Sequence, residues 1–147
     1  MRGLVLGKSR ERFRRLGFQP VAEIADILQA DKPEGSSQVV LFVPSKNRDG
    51  DEIDQDYWVD EGLRIIGQAF RGGTAFPPGR GVWRDDERGS ALLFETTVMI
   101  LSFVNPADLT DAAVLSLKSF LLRLGIEAKQ GEVGVAIDGV YYGFTRF

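Results

Sequence analysis

An antiparallel α+β domain is the fold class this sequence predicts, and three observations carry the prediction. Apolar residues recur at helical spacing between about Gln55 and Phe70, after a short β-branched and aromatic run. The stretch "ALLFETTVMILSFV", Ala91 to Val104, alternates as a long strand does. Asp138-Gly139 separates two further alternating runs, the strongest short-range signal for a two-residue hairpin.

The elements follow in chain order. "SRERFRRLG" and "PVAEIADILQA" read as two short helices, Gly17 stopping the first and Pro20 standing in the first turn of the second. "QADKPEGSSQ", Gln29 to Gln38, is the linker, because its Pro, Gly and Ser residues interrupt both periodicities. A basic helical segment with its linker, residues 1–35, is thus expected ahead of an α+β domain over residues 36–147. "VVLFVPS", Val39 to Ser45, is a strand ended by Pro44. In the helix that follows, Trp58, Gly62, Ile65, Ile66 and Ala69 share one side. Gly62 and Gly67 each cost roughly 1 kcal/mol there against alanine, which points to close packing on a sheet.

"RGGTAFPPGRG" is expected to carry at most a short edge strand. Both alternate sets of Ala91–Val104 turn apolar toward the end, so its second half is expected to be covered on both faces. "NPADLTD" supplies Asp108 or Thr110 as N-cap of a helix whose stripe is Val114, Leu117, Phe120, Leu121 and Leu124, with Gly125 as its stop. The order strand, helix, weak strand, long strand, helix, hairpin matches the split βαβ, or ferredoxin-like, plan. That plan is an antiparallel sheet with two helices on one face.

Composition limits the chemistry. The 147 residues contain neither Cys nor His, which removes thiolate nucleophiles, sulfur-bound zinc and the Ser-His-Asp triad. Catalysis would fall to Asp, Glu, Lys, Arg, Tyr, Ser or Thr. No apolar run approaches the roughly 20 residues of a membrane-spanning helix. The net charge of −3 conceals a basic start, in which Arg2, Lys8, Arg10, Arg12, Arg14 and Arg15 face a single acid, Glu11. Such an arm suits nucleic acid or anionic lipid, and equally a solvated helix face. The expected location is the bacterial cytoplasm.

Three stretches invite a site. "GLVLGKS" has one residue too few between its glycines to be a phosphate-cradling loop. "NRDGDEIDQD" offers Asp49, Asp51 and Asp54 to a divalent metal, yet its glycine and twelfth residue miss the EF-hand frame; a turn followed by helix capping is the competing reading. "RGGTAFPPGRGVWRDDERG", Arg71 to Gly89, is the best candidate. Arg71, Arg80, Arg84 and Arg88 could fork onto phosphate or carboxylate, and Trp83 could stack on a ring. Asp85, Asp86 and Glu87 beside them argue for mutually satisfied pairs in a turn.

"FPPGRGVWRDDERG", with "DQDYWVDE" and "GEVGVAIDGVYYG", resembles a family of small, uncharacterised bacterial proteins. The resemblance covers the body after the linker and implies a bacterial origin and a compact α+β domain. It transfers no activity and does not extend to the basic start.

The leading expectation is a non-enzymatic bacterial accessory module without cofactor. It would grip a protein or a protein–nucleic-acid complex through Arg71, Arg80, Trp83, Arg84 and Arg88. One alternative is nucleic-acid binding by Lys8, Arg10, Arg12, Arg14 and Arg15. The other is a magnesium-dependent phosphoester hydrolase holding its metal on Asp49, Asp51 and Asp54, or on Asp85, Asp86 and Glu87. A homodimer through an open sheet face, or through the edge near Phe144 and Phe147, is a further expectation.

Overall fold

The computed structural model describes residues 21–32 and 35–147, without the side chains of 21–23, and divides the chain into units Met1–Pro33 and Glu34–Phe147. In the first unit the described residues form helix α1 (Val21–Leu28), inside the second predicted helical stretch. The helix expected over "SRERFRRLG" and the basic residues Lys8 to Arg15 lie outside the described residues.

The second unit runs β1 (Ser37–Pro44), α2 (Gln55–Phe70), β2 (Thr74–Ala75), β3 (Gly79–Asp85), β4 (Ala91–Val104), α3 (Asp111–Glu127), β5 (Val133–Ile137) and β6 (Val140–Phe144). All strand pairs are antiparallel, in the order β2-β4-β1-β5-β6, with β3 also on β4. The fold is therefore α+β around a six-stranded antiparallel sheet.

Both helices form because their ends are satisfied and one stripe is apolar. The Asp54 carboxylate accepts the Tyr57 N–H at the start of α2, and the Thr110 hydroxyl accepts the Ala113 N–H at the start of α3. From α2, Trp58, Ile66 and Phe70 enter the core; from α3 come Leu117, Phe120, Leu121 and Leu124. They meet Val39, Leu41 and Val43 of β1, Val98, Ile100 and Val104 of β4, and Val133 and Val135 of β5. Each fully buried aliphatic side chain contributes about 1.5–3 kcal/mol. A Cβ at Gly62 would come within 2.7 Å of Ile100 Cδ1, so glycine is what lets α2 lie this close to β4.

Four expectations need correction. Gly125 does not stop α3, which continues to Glu127; the Phe147 ring occupies the face where its side chain would be. Val114, assigned to the buried stripe, is exposed. The stretch from Gly79 is no loose connection but a strand paired with β4 from Gly79↔Thr97 to Asp85↔Ala91. Finally, the second half of β4 is covered on one face only. Val98, Ile100, Ser102 and Val104 are buried, whereas Met99 and Phe103 between them are 45% and 63% exposed. Among the described residues, no helix is long and apolar enough to cross a membrane.

Candidate functional site

Because Leu41 and Val43 point into the core, the period-two alternation of a strand turns Phe42 and Pro44 to the face opposite α2 and α3. The same alternation brings Glu95 and Thr97 of β4, Gly81 and Trp83 of β3, Gly134 of β5 and Tyr141 of β6 to that face. The β3–β4 arm extends beyond the end of β1, since β1 stops at Pro44↔Thr97 while β4 begins at Ala91. Trp83 is therefore carried past the end of β1, and its ring leans over Gly131, where a Cβ would lie only 3.0 Å from Trp83 Cη2.

The result is a cleft of about 220 Å³ whose apolar walls include Phe42, Trp83 and Tyr141. Glycine keeps its floor low. Gly134 has no side chain because the hydroxyl end of Tyr141 fills that space, and a Cβ at Gly81 would press on Thr97 Oγ1 at 2.7 Å. Tyr141 meets Phe42 edge to face, with ring centroids 6.0 Å apart.

Two carboxylates, Glu95 and Glu132, line the cleft, and among the described residues no Lys or Arg does. Glu95 Oε2 accepts the backbone N–H of Ser45 at 3.3 Å and of Lys46 at 3.2 Å. Burial pushes the Glu95 carboxyl above its ordinary range, and these two amides pull it back. The Tyr141 hydroxyl donates to Glu132 Oε2 at 3.3 Å. Burial first, and then the neighbouring Glu132 charge, push that phenol up to about 12. The site is thus aromatic and anionic, which suits a ligand that joins a flat ring to a positively charged group.

Of the site residues singled out in the sequence that fall among the described residues, Trp83 alone lines this cleft. Arg84 pairs with Asp86, Arg88 with Asp49 at 2.8 Å, and Arg71 lies 3.8 Å from Asp108. Arg80, on the other face of the arm, has no carboxylate within ion-pair distance among the described residues. The acids proposed for metal are dispersed: Asp49 holds Arg88, Asp51 accepts from the Asn47 side chain at 3.4 Å, and Asp54 caps α2. Among the described residues, no three acidic side chains are placed to hold a metal ion. Phe42, Glu95, Glu132 and Tyr141 were not singled out, because they come from three separate strands and a turn. The one local signal was Glu95, a lone acid on the alternate set of Leu93, Thr97 and Met99.

No protein-family model and no curated protein matches the chain. Solved structures do. The fold is similar to that of a phage SAM lyase. The complex of that lyase with S-methyl-5'-thioadenosine superposes with a TM-score of 0.61 at 18% identity, covering 80% of this chain and 95% of that one. Its apo state gives a TM-score of 0.57 at 19% identity, covering 79% and 94%. At these identities the likeness is one of fold.

It nevertheless corrects the expectation of a non-enzymatic module, since an enzyme is built on this architecture. The expectation leaned on the missing His and Cys. Their absence removes one set of proton-transfer and nucleophilic groups, not reactions whose leaving group already carries charge.

Proposed function

We propose that this protein is an enzyme that binds SAM in the open-face cleft and cleaves it as a lyase. The observation that carries the reading is the pairing of Phe42, Trp83 and Tyr141 with Glu95 and Glu132 in a cleft that no cationic side chain among the described residues lines. An adenine ring can stack on the aromatics, and a sulfonium is drawn by aromatic faces and carboxylates. The shared architecture with a SAM lyase supports the reading. To the run β5-β1-β4-β3 with two helices on one face we assign a ferredoxin-like topology, which by itself carries no activity.

The chemistry suits a site without imidazole or thiol. In SAM, the substrate's own carboxylate can attack its γ-carbon: a C–O bond forms, the C–S bond breaks, and the electron pair passes to sulfur. The products are neutral S-methyl-5'-thioadenosine and a lactone that retains the ammonium. No proton is transferred and no water enters, so no general base is required.

What the protein supplies is conformation. Holding the amino-acid chain folded so that carboxylate and γ-carbon touch is the entropic share of the barrier that positioning can remove. Glu95 and Glu132 attract the sulfonium before reaction, and that attraction vanishes with the charge. They therefore serve capture and product release rather than acceleration, because only interactions stronger in the transition state raise the rate.

The test is direct. Purified protein incubated with SAM should produce S-methyl-5'-thioadenosine by chromatography, and Trp83→Ala should weaken nucleoside binding by about 1–3 kcal/mol, the usual worth of a base–aromatic stack. Failure of the wild type to bind either nucleoside at millimolar concentration ends the reading.

A further inference from the structure

Arg48 stands outside the cleft, yet it joins three of the segments that shape it. Its backbone N–H donates to Lys129 O at 2.9 Å, tying the turn after β1 to the turn before β5. Its side chain runs beside Trp83 over Gly131, where a Cβ would lie 3.6 Å from Arg48 Cδ and 3.0 Å from Trp83 Cη2. Its guanidinium reaches the tip of the β3–β4 arm, donating to Glu87 Oε2 at 2.5 Å and lying 3.8 Å from Asp85 Oδ1. Arg88 supports the junction, bonding Asp49 at 2.8 Å and the Arg48 carbonyl at 3.4 Å.

The junction is poorly matched as a purely stabilising device. Asp85 is 3% exposed, and its Oδ1 accepts the Glu87 N–H at 3.2 Å. Its Oδ2, 3.7 Å from Arg88 Nε, has no hydrogen-bond partner among the described residues, and neither does the buried Nε of Arg48. A buried acceptor and a buried donor left unmade, in the same junction, are a cost that a network kept for stability alone would not carry. What the junction does achieve is placement: Asp85 is two residues from Trp83 on the same face of β3, so fixing one fixes the other.

We infer that Arg48 is a positioning residue for the cleft, a latch that holds the arm so that the Trp83 ring stays over Gly131 and closes one end of the site. The inference rests on the reading of the cleft as a nucleoside site. Ligand does not touch Arg48; it meets the wall that Arg48 holds in place.

The experiment separates placement from stability. Arg48→Met keeps the packed stem but removes the charge. It should raise the Kd for S-methyl-5'-thioadenosine on the order of tenfold, as loss of precise positioning does. It should also lower the melting temperature and speed amide hydrogen exchange at Val82–Asp85. Arg48→Met leaves the buried Asp85 with Arg88 alone, 3.7 Å away and without a hydrogen bond; adding Asp85→Asn removes that buried charge, so the pair should recover the melting temperature while affinity and exchange protection stay impaired. Recovery of affinity together with the melt would make Arg48 merely structural and overturn the inference. Unchanged exchange at Val82–Asp85 in Arg48→Met would also overturn it. If the wild type binds no nucleoside, the proposed function falls, and the exchange measurement by itself still decides whether the latch exists.

Discussion

The two faces of this sheet are built from the same strands and nearly the same residue types, yet they have different fates. On the helix side, Val39, Leu41, Val43 and Ile100 have no exposed surface. On the other side, one residue along, Phe42 and Leu101 are half-buried, and Met99 and Phe103 stand 45% and 63% exposed. Alternation tells which residues share a face, but not whether a helix covers it. Here α2 and α3 cover one face, and on the other, among the described residues, aromatic and carboxylate side chains line the cleft.

The sharpest way to break this comparison is to truncate neighbours on opposite faces of β4. Ile100→Ala opens a void against Gly62 and the rest of the core and should cost about 2–5 kcal/mol of unfolding free energy. Met99→Ala, adjacent in sequence and half exposed, should cost about 1 kcal/mol or less. Urea denaturation of the two variants measures the contrast directly, and equal losses would mean that the open face is packed as tightly as the core.

A smaller effect, confined to the open face, comes from Glu95→Gln. Removing this charge should weaken binding of the sulfonium nucleoside by about 1–2 kcal/mol, a factor of roughly 5–30, while leaving the neutral thioether product unaffected. The pH dependence has two opposed parts. Burial raises the folded-state carboxyl above its ordinary value of 4.5, so as the pH falls the folded protein takes up this proton before the unfolded chain does. Acidification through that window therefore adds stability while it removes the partner of the cation. Calorimetric titrations across acidic pH should show sulfonium affinity falling and product affinity flat; parallel loss of both would assign the effect to general unfolding.

These contrasts also show what could be read from the chain. The bounds of α2, the span of β4 and the Asp138-Gly139 turn were legible because each is a local pattern: an apolar stripe, an alternation, a dipeptide whose φ values of 51° and 79° are those its turn requires. β3 was not legible as a strand. Two of its four open-face positions are Gly79 and Gly81, which weaken the alternation, and its other face carries Arg80 and Arg84. Only its partner, the first half of β4, makes it one. The cleft was legible at Trp83 alone, since Phe42, Glu132 and Tyr141 reach it through strand pairing between segments far apart in sequence. Arg48 carries no local signal, because its partners Asp85 and Glu87 stand far along the chain.

The smallest expected effect tests the rim of the same face. Tyr141 should titrate late, because burial and the Glu132 carboxylate hold its phenol up to about 12 against an ordinary 10. The unfolded chain loses this proton near 10 while the folded protein keeps it, so the native state binds more protons between these values. The corresponding stability is complete below pH 10 and is lost as the pH rises toward 12. Tyrosinate ultraviolet absorbance should show one late transition in the wild type. Glu132→Gln should bring that transition only part of the way back, since burial is the larger cause and the charge the smaller. Gly134→Val should bring it back further by displacing the ring from the floor of the cleft into water, because the space a side chain would need at Gly134 is the space the Tyr141 hydroxyl occupies. If Glu132→Gln restores the ordinary titration entirely, electrostatics rather than burial governs this rim, and Tyr141 is more open to solvent than the contrast between the two faces requires.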